Sequence, residues 1–165
     1  MSIDFENNSG VSFDFDQERL IQILVEQTVE VLGCPYQVGV SVSVVTSEEI
    51  RRVNREFREI DKVTDVLSFP MNEFDEAGVF AGDAFEASMT VDPETDELLL
   101  GDIVLCADRV RSQAEEYGHS EKREYAFLIV HSLLHLSGFD HIVDTDRLLM
   151  EDKQRQILDL VGINR

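Results

Sequence analysis

The chain has 165 residues, 43% of them hydrophobic, and a formal net charge of −20. That length suits one domain with a substantial core, and so acidic a balance excludes the basic footprint of an ordinary nucleic-acid binder. Nine Asp or Glu and no Lys or Arg fall between Asn72 and Glu97, while Lys62, Lys122 and Lys153 are the only lysines. This excess reads either as a solvated surface or as a field that repels polyanions except at a local basic site. No apolar run approaches the about 20 residues of a membrane span. The polar, acidic start MSIDFENNSG is not of signal-peptide type. Cys34 and Cys106 stand alone, as expected of buried or incidental thiols in a reducing cytoplasm.

Val11 to Phe15 alternates and predicts a short strand. Asp16 to Leu32 has the apolar spacing of an amphipathic helix, and Gly33 stops it. Val38 to Val45, valine alternating with small residues, predicts a strand. Ser47 is placed to N-cap a helix that runs to about Phe57, with Glu48 and Glu49 in its first turn. Thr64 to Met71 predicts a strand ended by Pro70, and the acidic segment after it a long loop or ornamented hairpin. Leu98 to Ala107 predicts a strand with a bulge at Gly101. Helices are predicted over Asp108–Tyr117, from a Ser120 cap through AFLIVHSLLHL, and over Asp144–Val161. The middle one is apolar almost all round and so belongs inside the protein. This order predicts a single α+β domain over residues 1–165.

The segment HSLLHLSGFDH, His131 to His141, is the most specific feature. His131 and His135 are one helical turn apart and share a face. Gly138 can break the helix in a left-handed conformation and return the chain to deliver His141. Three neutral imidazoles around an open fourth position form the ligand set of a catalytic zinc site, at the end of a buried helix. The bland alternative is a set of unconnected core and surface histidines. The spacing equals the three-His, one-Gly skeleton of the metzincin peptidases, but Ser132 stands where those enzymes have a glutamate base. A hydroxyl is too weak a base for that role, so the pattern points away from peptide bonds.

Arg51, Arg55 and Arg58 recur along one face of the second helix, with Arg52 beside them, and Ile50, Val53 and Phe57 are expected to pack inward. Guanidinium forks suit phosphate. The alternative is a solvated face paired with Glu48, Glu56 and Glu59. Asp140, beside His141, is expected to orient an imidazole or to cap a helix end. Asp102 and Asp65 are weaker candidates, and His119 is expected to serve local structure.

Together HSLLHLSGFDH, the preceding GHSEKREYAFLIV, FREIDKVTDVLSFP and the GDIVLC strand resemble the YbeY family of metal-dependent endoribonucleases over roughly residues 35–145. The resemblance implies a small mixed sheet flanked by helices. It implies one zinc-like ion on His131, His135 and His141, and a functional arginine at Arg58. It also implies a cytoplasmic enzyme of ribosomal RNA maturation and ribosome quality control, working with the small ribosomal subunit and not with DNA or membranes. The chain departs from the family pattern at Ser132, usually Gly, at Val63, usually Pro, and in its longer acidic segment. The rival readings are a metallohydrolase of small esters, amides or peptides, and a non-enzymatic assembly factor with a structural metal.

Overall fold

A computed structural model describes residues 1–163. The chain runs β1 (Ser2–Asn7), α1 (Gln17–Leu32), β2 (Val38–Val45), α2 (Ser47–Arg58), β3 (Val66–Pro70), α3 (Asp83–Ser88), β4 (Leu98–Cys106), α4 (Ala107–Tyr117), α5 (Glu121–Leu136) and α6 (Asp144–Leu160). The four strands form one sheet in the order β1-β2-β4-β3. The β1–β2 and β2–β4 pairs are parallel and β3 is antiparallel to β4, so the sheet is mixed. The fold is a small α+β domain, as the element order predicts.

Alternation divides the sheet into two unlike faces. Val40, Val42 and Val44 of β2 and Ile103 and Leu105 of β4 point into the main core, with Ile3 and Phe5 packed against it. That face receives α5, which packs on β3, β4, α1, α4 and α6. Its apolar circumference is thereby explained: a central helix packed on five neighbours leaves little surface for water. The opposite face carries Asp4, Ser41 and Asp102, with only a small cluster of Val45, Ile50, Leu67 and Cys106 under α2.

Asp102 therefore lies across the sheet from α5 and does not reach the histidines. Burial first, and the charge of Asp4 second, hold its carboxyl above the usual carboxylate range. A group with a raised folded-state pKa costs stability as pH rises through that value. Asp102→Asn is expected to raise the melting temperature at pH 7, by a gain that shrinks as the pH is lowered toward 4. Melts of both proteins across that range check it.

The strand expected at Val11–Phe15 is not formed, and the first strand lies earlier, at Ser2–Asn7. Side chains satisfy the backbone there: Asn7 Nδ2 donates to Val11 O at 2.9 Å and Val11 N donates to Ser9 Oγ at 3.1 Å. The alternating Phe13 and Phe15 meet Tyr125 edge-on at 5.5 and 5.2 Å between centroids. Thr46, not Ser47, caps α2, accepting from Glu49 N at 3.2 Å. The Ser47 hydroxyl is engaged by Asp108, 2.7 Å away. Phe57 is 65% exposed instead of inward, touching only the edge of the small cluster through Phe69 at 5.8 Å. The acidic segment contains α3, which Asp75 caps by accepting from Ala84 N and Phe85 N. The bulge expected at Gly101 is present, as a register slip that leaves Leu100 unpaired beside it.

Candidate metal centre

Helix α5 begins where Ser120 accepts from Arg123 N at 3.1 Å. It carries His131 and His135 on its last turns, and it ends at Ser137. Gly138 follows with φ 93° and the chain reverses to His141. The acidic segment holds this turn. Gly78 N donates to Ser137 O at 2.8 Å. A Cβ on Gly138 would come within 2.7 Å of Phe74, and one on Gly78 within 2.8 Å of Phe139. Each glycine accepts an aromatic ring from the other segment, an interlock no single motif discloses.

The three imidazoles converge, with one ligating nitrogen from each lying within 4.8 Å of the others. His131 Nε2 and His135 Nε2 are 3.1 Å apart. Nitrogens sharing a tetrahedral ion at about 2.0–2.1 Å must lie roughly 3.3 Å from one another, so this pair stands at ligand spacing and the third nitrogen is near enough to complete the set. His135 Nδ1 lies 3.0 Å from Phe139 O. A carbonyl only accepts, so Nδ1 carries the proton and the Nε2 lone pair faces the other rings. Burial pushes the His131 imidazole down to about 4, with His135 and His141 adding to the fall. Burial also lowers His135, and the charges of His141 and Arg58 push the same way. Both rings are thus neutral at pH 7, the form that ligates metal. His141 is the exposed member and marks the open side.

Asp140 does not orient an imidazole; its Oδ1 accepts from the His141 backbone N at 2.7 Å. The orienting group is the Phe139 carbonyl, which side-chain reasoning overlooks. Ser132 is fully buried on the side of α5 that faces β3, its Oγ 2.6 Å from Ser68 Oγ. Where the metzincin skeleton has its base, this chain has a hydroxyl tied to the sheet.

The arginine cluster divides. Arg51 pairs with Asp61 at 2.9 Å, Arg52 with Glu49 at 2.7 Å and also with Glu56, and Arg55 lies 3.9 Å from Asp61. These three do form a paired, solvated face, but of the expected acids only Glu56 takes part, and Asp61 and Glu49 stand in place of Glu48 and Glu59. Arg58, at the end of α2, has no ion pair among the described residues, and its charge is felt at His135. Asp65 accepts from its neighbour Val66 N and from Gln113 Nε2 at 3.4 Å, and its charge is felt at His131. Gln113 also donates to the buried Glu124, which meets His119 at 2.8 Å, so His119 does serve local structure. Gln113 and Glu124 escape notice in the sequence; the signal was a glutamate one residue before the apolar run of a buried helix. Neither cysteine belongs to the histidine group: Cys34 is half-buried and Cys106 buried, 3.6 Å from Ser47 Oγ.

The family model for endoribonuclease YbeY matches residues 2–162. The chain belongs to the YbeY family. It is 47% identical to endoribonuclease YbeY of Lachnoclostridium phytofermentans, over all of both chains. It is 45% identical to that of Clostridium acetobutylicum, over 99% of this chain and 98% of the other. Among solved structures it is similar to the solution structure of TM1509 from Thermotoga maritima, with a TM-score of 0.59 and 27% identity over 97% of this chain and 89% of that one. The family resemblance read from the sequence is thus extended from residues 35–145 to nearly the whole YbeY chain, first strand and last helix included. No helix among the described residues is long and apolar enough to cross a membrane.

Proposed function

We propose that this chain is a metal-dependent endoribonuclease of ribosomal RNA maturation, built as one metallohydrolase domain over residues 1–165. The observation that carries the reading is the convergence of His131, His135 and His141, with the charge of Arg58, unpaired among the described residues, felt at His135, in a family whose relatives are named endoribonucleases. The three imidazoles would hold one zinc ion per chain. When bound, such an ion activates water as a nucleophile and polarises a phosphoryl oxygen.

The chain's own residues supply the rest. Phe139 O fixes the ring of His135 so that its lone pair meets those of its partners. Arg58 donates its guanidinium fork to the phosphate as negative charge builds there. The paired Arg51, Arg52 and Arg55 leave that task to Arg58 alone on α2. Ser132, bonded to Ser68, takes no proton from the attacking water. The substrate would be small-subunit rRNA precursor, met on the small ribosomal subunit in the cytoplasm, with a part in ribosome quality control.

Cleavage of small-subunit rRNA precursor by the metal-loaded protein tests this. Wild type should cut, and Arg58→Ala should keep its ion and its fold yet lose roughly 10²-fold or more in rate, the scale of one lost charge-stabilising donor. Folded, metal-loaded wild type that leaves the RNA intact would overturn the nuclease reading. Equal rates in wild type and Arg58→Ala would remove Arg58 from the chemistry.

A further inference from the structure

Phe127 is the exception on α5. From Tyr125 to Leu136 every apolar side chain of that helix is buried except this one, which is 38% exposed. It stands one turn before His131 on the same helix face. Its ring lies nearly parallel to the His131 imidazole, 14° between planes and 6.4 Å between centroids. The His131 ring is in turn within 27° of the His141 ring, at 5.5 Å. Phe127, His131 and His141 thus form a row of near-parallel rings, with the part-exposed Phe127 at its end beside the ligating nitrogens. The row is held from below: Gln154 of α6, itself buried, donates through Nε2 to Phe127 O at 2.9 Å. Beyond His141 the rim is apolar as well, with Ile142 82% exposed.

A flat apolar face beside a phosphate-cleaving centre has one fitting occupant in RNA, an unpaired base. Every base offers a π-face, and single-stranded RNA presents bases free to stack on aromatic side chains. The 6.4 Å step from Phe127 to His131 is within the span of a single nucleotide. Charge argues the same way. A chain of net charge −20 repels a polyanion, and three of the four arginines of α2 are paired with acids. An uncharged stacking contact holds RNA where the electrostatic field does not.

We propose that Phe127 is the stacking platform for the nucleobase adjoining the scissile phosphate, a role that rests on the endoribonuclease reading above. Stacking, and not apolar packing, is the contribution. The bond from Gln154 goes to the backbone carbonyl and survives any substitution here; leucine stays apolar but lacks the ring, whereas tryptophan enlarges it.

The test measures kcat and KM for a short unstructured RNA of mapped cleavage site, with wild type, Phe127→Leu and Phe127→Trp. It adds substrates carrying an abasic ribose at each position flanking the cut. Phe127→Leu should lower kcat/KM about tenfold, chiefly through KM, while Phe127→Trp stays within about twofold of wild type, as one stacked base requires. Ion content and melting temperature should not move. One abasic position should cost wild type the same factor and cost Phe127→Leu nothing further. Phe127→Leu cutting as well as wild type, or losses that simply multiply with the abasic ones, would overturn the proposal. Should Phe127→Leu fail to fold, the abasic series on wild type decides alone: no loss at any position overturns it. Metal-loaded wild type that cuts no RNA overturns the endoribonuclease reading itself, a result distinct from all of these.

Discussion

His135→Ala is expected to give a folded protein that retains no ion and cuts no RNA. Of the three imidazoles this one is the most fully specified: its Nδ1 is held by Phe139 O at 3.0 Å and its Nε2 stands 3.1 Å from that of His131. Losing the outer partner of a ligand already costs about 10- to 100-fold in metal affinity. Losing the ligand itself exceeds that and leaves two donors, one of them on the exposed His141. The fold should survive, because the ring is only half-buried and alanine is the best helix former. Ion content per chain after gel filtration, with circular dichroism as the control for folding, checks the first part. Cleavage of rRNA precursor checks the second. A chelator should abolish wild-type cleavage and added metal restore it. One ion per chain persisting in His135→Ala would remove the three-nitrogen centre from consideration.

The largest loss of stability is expected at Gly101→Ala. Gly101 pairs with Pro70 of β3 and Val40 of β2 in the middle of the sheet, and has φ 141°. A Cβ there would lie 2.2 Å from Phe69 O and 3.0 Å from Leu136 Cδ2. Backbone strain at such a φ costs about 1–3 kcal/mol, and forcing two packed elements apart costs about 1–3 more. The sum, about 2–6 kcal/mol, is a large share of a total stability of about 5–15 kcal/mol. For a chain of this length the melting temperature should fall on the order of 10 °C. Gly10→Ala is the control: φ is 74° and nothing lies within 4 Å of the added Cβ, so only the conformational part applies. Equal losses in the two variants would show that the close approach of Phe69 O is relieved at no cost.

The convergence of the three histidines was legible because it is local. His131, His135, Gly138 and His141 fall within one stretch of α5 and its terminal turn, and helix geometry alone brings the first two together. β2 was legible to the residue, because its alternation has no competing reading. What failed was decided at a distance. Thr46 and Ser47 are both cap-forming residues, Ser the better by preference, but the Ser47 hydroxyl is engaged by Asp108, 61 residues away, and Thr46 caps instead. The fate of the arginines turned on Asp61, which only the return of the chain after α2 brings back to Arg51 and Arg55. Val11–Phe15 has a strand's alternation, but its phenylalanines are spaced to meet Tyr125. Phe57 has the period of a core residue on a helix whose neighbouring core is too small to cover it.

The exchange of rings and glycines between Phe74–Gly78 and Gly138–Phe139 has a consequence for the order in which the molecule is made. The segment that braces the turn leaves the ribosome first and has nothing to clasp until α5 follows it. Contacts of such long sequence separation form late in folding. The turn between His135 and His141 therefore gains the bracing of Phe74 and Gly78 only after the two halves of the chain have met.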